Sequence, residues 1–156
     1  MAMDLYEQYD KIYRYCYFKL NHRETAEDIT QETFLRYFDN VHGIRYQEKG
    51  KTLQYLYTIA RNLCIDEFRK RSMQQLPEEQ IGQDMEEQML TTFSIKTALH
   101  KLDKEGQELL LLRFVNEVPV SIISNIMGIS RFAVYRKTSA ALKQMKELLG
   151  EEDFGE

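Results

Sequence analysis

The chain has 156 residues, 21 Lys and Arg against 25 Asp and Glu, and a formal net charge of −4. That length suits one ordinary hydrophobic core or two small ones. No apolar run reaches membrane-spanning length, and Met1-Ala-Met-Asp4 lacks the basic and apolar parts of a signal peptide, so a cytoplasmic protein without membrane insertion is expected.

Nearly all of the sequence has helical periodicity, and continuous β-alternation with turn dipeptides is missing, which predicts an all-α protein. The first helix runs from about Asp4 to Leu20, with Leu5, Tyr9, Ile12, Tyr13, Cys16 and Tyr17 on one face. The second begins near Thr25, where Thr25 and Asp28 have the spacing of a capping box, and continues through Ile29, Phe34, Leu35 and Phe38 to about Val41. Gly43 to Gly50 reads as a polar loop, and a third helix spans about Thr52 to Arg71 with Leu56, Ile59, Leu63 and Phe68 as its core stripe. Cys16 and Cys64 lie in helical patterns without CxxC spacing or a nearby histidine pair, so they read as reduced core thiols rather than a disulfide or metal site.

Residues 72–94 are rich in Gln, Glu and Met, contain Pro77 and Gly82, and offer little to bury. They read as a flexible acidic linker between a domain of residues 1–71 and a second of residues 95–149, with an acidic tail at 150–156. In the second domain Leu99 and Leu102 lead to Asp103, a suitable N-cap, and Glu108 to Val115 form an apolar helix that Asn116-Glu117 breaks. Pro119 suits the first turn of the next helix, where its missing N–H is not needed.

The segment from Val120 to Lys137 then combines a short amphipathic helix, a Gly128-Ile129-Ser130 turn and a second helix that becomes basic. Ile123, Ile126, Met127, Ile129 and Val134 pair the two helices, and Ser130 caps the second. This pattern matches a helix-turn-helix, whose second helix enters the DNA major groove. From Arg131 to Lys146 the charged residues are Arg131, Arg136, Lys137, Lys143 and Lys146, with no acid among them. The acidic total does not oppose DNA binding: nine of the 25 acids lie in the linker and tail, leaving 16 against 21 bases, a body of about +5. Salt screens charges beyond about 10 Å, so the local field decides.

Two other segments could carry function. On the third helix, Asn62 and Asp66 share a face near the basic end Arg69-Lys70-Arg71, and Tyr55 and Tyr57 precede them. Rings and amides on a basic helix suit single-stranded DNA, where bases stack and phosphates meet cations; the same tyrosines also suit an amphipathic core, and the terminal bases suit the helix dipole. On the second helix, Asp28, Gln31, Glu32 and Arg36 fall along one face, either solvated or a protein-docking surface.

In order and spacing these segments resemble the extracytoplasmic-function sigma factors, the smallest class of bacterial RNA polymerase sigma subunits. Ala26-Glu-Asp-Ile-Thr-Gln-Glu-Thr-Phe34 resembles region 2.2, Tyr55-Leu-Tyr-Thr-Ile-Ala-Arg-Asn62 resembles region 2.3–2.4, and Leu109-Leu-Leu-Leu-Arg-Phe114 with the helix-turn-helix resembles region 4. The resemblance covers about Leu5 to Leu149. It implies a factor that binds core RNA polymerase, recognises −35 and −10 promoter elements and melts the latter. It implies docking of Asp28, Gln31, Glu32 and Arg36 on the β′ clamp helices, and contact of the second domain with the β flap. Tyr55, Asn62, Asp66, Arg69, Lys70 and Arg71 then handle the −10 DNA. Ser130, Arg131, Tyr135, Arg136, Lys137 and Ser139 then read the −35 element. A cognate anti-sigma factor is implied as a further partner, and the acidic linker is implied to thread polymerase near the RNA exit path as a mimic of RNA. Tyr55 stands where Trp is usual, Pro119 where a capping Ser is common, and Thr138, Ser139 and Ala140 are smaller than the family's residues.

A free-standing helix-turn-helix regulator would account for the C-terminal half alone, and a scaffold for the docking face alone. No cofactor and no catalytic activity are expected, because His22, His42 and His100 are scattered and no phosphate-cradling glycine loop occurs.

Overall fold

The computed structural model describes residues 4–40, 49–74 and 95–150, and all regular structure among them is helical. The chain divides into two compact units, Met1–Gln80 and Ile81–Glu156. The acidic connection from residue 75 and the acidic tail from residue 151 lie outside the described residues, as does the predicted loop up to residue 48. No helix among the described residues is long and apolar enough to cross a membrane.

In the first unit, α1 (Leu5–Leu20) starts on Asp4, whose carboxylate accepts from the Tyr6 and Glu7 amides at 3.0 and 3.3 Å. It ends at Asn21, held in the left-handed region at φ 54°, a conformation Asn tolerates better than most residues. The helix α2 (Arg23–Asp39) follows at once, capped by His22, whose Nδ1 accepts from the Thr25 amide at 3.2 Å. The Thr25–Asp28 capping box therefore does not form: Thr25 is already inside the first turn, and its hydroxyl lies 3.0 Å from the same His22 nitrogen. The helix α3 (Lys49–Gln74) overruns its expected ends in both directions, into the predicted loop and into the start of the predicted linker.

These three helices pack pairwise around Ile12, Tyr15, Cys16 and Leu20 of α1, Ala26, Ile29 and Phe34 of α2, and Leu56, Tyr57, Ala60 and Cys64 of α3. Tyr15 and Tyr57 meet edge to face at 5.5 Å between centroids, the arrangement that ring quadrupoles favour. The α1 face is turned from the expected one: Gln8 and Tyr15 are buried, whereas Leu5, Tyr9, Tyr13 and Tyr17 are half-buried. Thr30 and Thr33 are fully buried at no loss of hydrogen bonding, because their hydroxyls donate to the Ala26 and Ile29 carbonyls one turn back, at 2.7 and 2.8 Å.

In the second unit, residues 95–101 are helical (α4) and α5 (Lys104–Leu110) starts on Asp103, which accepts from the Gly106 amide at 2.7 Å. The expected helix from Glu108 to Val115 is not continuous α-helix. At Leu111–Val115 it widens into a π turn, with the Asn116 amide donating to the Leu111 carbonyl at 2.9 Å. Leu109, Leu110, Leu111 and Leu112 are all buried, yet Phe114 and Val115 at the turn's end are exposed. Pro119 sits one position ahead of the first turn of α6 (Val120–Met127), where its carbonyl accepts from Ile122 and Ile123, both at 3.0 Å.

Gly128 ends α6 at φ 71°, and Ser130 opens α7 (Arg131–Leu149) by accepting from the Ala133 amide at 3.0 Å. Between them the Ser124 hydroxyl donates to the Ile129 carbonyl and the Ile129 amide returns to the Ser124 carbonyl, stitching the turn from both sides. Ile122, Ile123 and Ile126 of α6 and Val134, Thr138, Ala141 and Met145 of α7 supply the buried faces of this helix-turn-helix.

Candidate nucleic-acid interface and docking face

The exposed side of α7 follows from its buried one. Val134, Thr138, Ala141 and Met145 recur at spacings of four and three, so one stripe faces inward and the opposite stripe faces solvent. Ser130, Arg131, Tyr135, Arg136 and Ser139 are all exposed: Tyr135, Arg136 and Ser139 on that outer side, Ser130 and Arg131 at the open start of the helix, four and three residues before Val134. Lys137 is not: it flanks the buried stripe, half-buried, with Nζ 3.0 Å from Glu105 of α5. Its charge is matched within the unit. Thr138 is buried, with an Oγ1 that finds no partner among the described residues. Its small size therefore belongs to packing, and only Ser139 and Ala140 of the unusual trio are presented outward. Phe132, outside the expected contact set, is 76% exposed beside Arg131. Its position two residues before Val134, on the far side of the helix from the core stripe, was the available signal.

On α3, Tyr55, Asn62, Asp66 and Arg69 fall at spacings of seven, four and three, a single line along the helix. Asn62, Asp66, Arg69 and Lys70 are exposed, and Asp66 and Arg69 lie 3.7 Å apart. Tyr55 is half-buried, its ring 6.2 Å from that of Tyr37. Arg71 departs from the expected basic cluster. Only 8% of its side chain is exposed; it donates to the Leu20 carbonyl at the end of α1 and pairs with Glu67 at 3.5 Å. A guanidinium committed to a helix C-terminus and a carboxylate is a clamp between α3 and α1, and it is unavailable to a phosphate.

On α2, Asp28 and Gln31 are exposed, while Glu32 and Arg36 pair with each other at 2.9 Å. The Asp28–Gln31 line continues at spacings of four and three into Leu35 and Phe38, 59% and 51% exposed. The core is served instead by Phe34 and Tyr37, whose rings lie 6.5 and 5.4 Å from that of Phe38. The face therefore offers an apolar end beside a polar one.

Two helical units, one closing in a helix-turn-helix with an exposed cationic side, have the architecture of a DNA-binding protein. Comparison with known proteins narrows the class. Sigma-70 region 2 matches residues 5–73 and Sigma-70, region 4 matches residues 98–147. The RNA polymerase sigma factor YlaC of Bacillus subtilis is 30% identical, the alignment covering 92% of this chain and 89% of that protein. The ECF RNA polymerase sigma factor BldN of Streptomyces coelicolor is 31% identical over 93% of this chain, which spans 59% of that relative's length. Among solved structures, the sigma factor RpoE of Bartonella quintana, crystallised with the anti-sigma factor NepR, shares the fold at a TM-score of 0.74, 20% identity and 93% coverage of both chains. The chain belongs to the extracytoplasmic-function family of RNA polymerase sigma factors. Proteins of this family are promoter-specific initiation factors.

Proposed function

We propose that this chain binds core RNA polymerase and divides promoter recognition between its two units. The observation that carries the reading is the pairing of the two sigma regions, in order, with an exposed cationic face on α7 and an exposed polar-apolar face on α2. Asp28, Gln31, Glu32 and Arg36 dock on the β′ clamp helices, with Leu35 and Phe38 as the apolar end of that contact. The Tyr55–Asn62–Asp66–Arg69 line and Lys70 handle the opened −10 strand, by stacking, amide hydrogen bonding and phosphate attraction. Ser130, Arg131, Tyr135, Arg136 and Ser139 read the −35 duplex, Arg to guanine being the commonest specific pairing. The second unit meets the β flap, and an anti-sigma factor of the kind bound to the Bartonella relative covers the polymerase-docking faces. The acidic residues between 78 and 87 follow the basic RNA path of polymerase. The protein acts in the cytoplasm and performs no chemistry itself; polymerase supplies all of it.

Run-off transcription with core polymerase on genomic DNA tests this reading and reports the promoter together. Specific transcripts are expected with the wild-type chain, none with Asp28→Arg, and few open complexes with Asn62→Ala. A chain that yields no promoter-specific transcript with core polymerase overturns the reading.

A further inference from the structure

We infer that Phe132 reads the methyl group of a thymine in the −35 element and sets a base preference there; this rests on the proposed reading of α7 as the −35 helix. Phe132 is the second residue of α7 and is 76% exposed. It lies about 200° around the helix from Val134, which is fully buried, so it points away from the packed side. Tyr135, one turn on, is 59% exposed on the same side, and Arg131 and Arg136 flank the two rings. No acid occurs on this helix before Glu147.

An isolated exposed ring needs no explanation. A pair of rings framed by unopposed cations at a helix N-terminus is a different surface. The cations fit the phosphate field of a duplex, and the first turn of a helix-turn-helix recognition helix is the part that meets base edges. Phe132 has no hydrogen-bonding group, so of the edges in the major groove only one suits it, the C5-methyl of thymine. A protein partner for the same rings would have to answer the cations with acids, and a phosphate contact would use the cations without the ring.

The test uses holoenzyme reconstituted from the full chain and core polymerase. Promoters are selected from a duplex library randomised across the −35 element, with wild-type chain and with Phe132→Ala. The wild type is expected to enrich thymine at one position, and Phe132→Ala to lose that preference while keeping the others. Deoxyuridine in place of that thymine, which removes only the methyl, is expected to weaken wild-type binding about fourfold, the effect of one buried methyl-sized group. It leaves Phe132→Ala unchanged, and Phe132→Leu restores part of the preference. Retention of the thymine preference in Phe132→Ala, or an equal loss on every sequence, overturns the inference and assigns the ring to a non-specific or protein contact. If the wild type selects no −35 sequence at all, the underlying reading of α7 fails first. Because the side chain is exposed, circular dichroism of the variants should match the wild type, which separates these outcomes from misfolding.

Discussion

Three basic side chains adjoin at the end of α3, and their surroundings give them different work. Lys70 is exposed, whereas Arg71 is enclosed between Glu67 and the last carbonyl of α1. Removing Arg71 leaves a nearly buried carboxylate and a buried carbonyl without their donor, a loss of about 2–4 kcal/mol. Arg71→Ala should therefore lower the unfolding midpoint of the first unit sharply, and Arg71→Lys should recover little, since an ammonium lacks the planar fork. Lys70→Ala should shift stability by less than about 0.5 kcal/mol while weakening −10 strand binding. Equal stability of the two alanine variants in urea denaturation would contradict the clamp. Thr138 presents the opposite case, a buried hydroxyl without a partner. Thr138→Val keeps the shape and removes the desolvated group, so thermal unfolding should show a gain of about 1 kcal/mol. Neither residue could be assigned from the sequence. Arg71 reads as one of three adjoining bases, and its acceptor Leu20 lies 51 positions away. The partner of Lys137 is hidden for the same reason, its acid Glu105 lying 32 positions away. Local pattern identifies a cation; only the tertiary fold identifies its partner.

At the scale of elements, periodicity located the helices and the turn of the helix-turn-helix, because burial on one face and local caps are written within a few residues. The Ser130 cap, the Asp103 cap and the Gly128 turn were all legible in this way. The π turn was not, since an extra residue in the turn leaves the apolar run Leu109 to Val115 looking like one helix. The apolar end of the outer line of α2 was not legible for a related reason. Phe34, Leu35, Tyr37 and Phe38 crowd nearly a full turn, and composition cannot say which two face the core. Exposure now marks Leu35 and Phe38 as the outward pair. Leu35→Asp should lower affinity for core polymerase more than tenfold, as loss of an apolar anchor does, with stability changed by less than about 0.5 kcal/mol. A pull-down in which Leu35→Asp recovers polymerase as well as wild type would remove it from the docking face. In the turn between α6 and α7, Gly128 has open space around its missing Cβ, so steric contact is no obstacle to a side chain. Its left-handed φ of 71° is the obstacle, and Gly128→Ala should destabilise the second unit by about 1–2 kcal/mol in thermal melts.

For the molecule as a whole, charge decides between a sigma factor and a free-standing regulator. The sequence carries −4 overall, and once Lys137 is matched by Glu105 the helix α7 keeps four exposed cations, Arg131, Arg136, Lys143 and Lys146. Affinity for duplex DNA rises with the number of phosphates neutralised, and a protein neutralising at most about four gains less from counterion release than the roughly six to ten contacts of strong duplex binders give. A regulator acting alone would need several more contacts, or a second recognition helix brought by dimerisation, to reach the nanomolar range of specific binders. The free chain should therefore bind promoter duplex no tighter than about 1 µM at physiological salt, within the non-specific range. Holoenzyme should bind the same promoter far more tightly, because polymerase adds its own DNA contacts and lets both units engage one DNA at once, converting the second contact into an intramolecular one. Arg131→Ala and Arg136→Ala should weaken holoenzyme binding at the −35 element. If either arginine acts on phosphate rather than on a base, its loss should also flatten the salt slope by about one unit. Titration of labelled promoter DNA with free chain and with holoenzyme at several salt concentrations measures each of these. Nanomolar, sequence-specific binding by the chain alone would favour the regulator and place the α2 face outside promoter recognition.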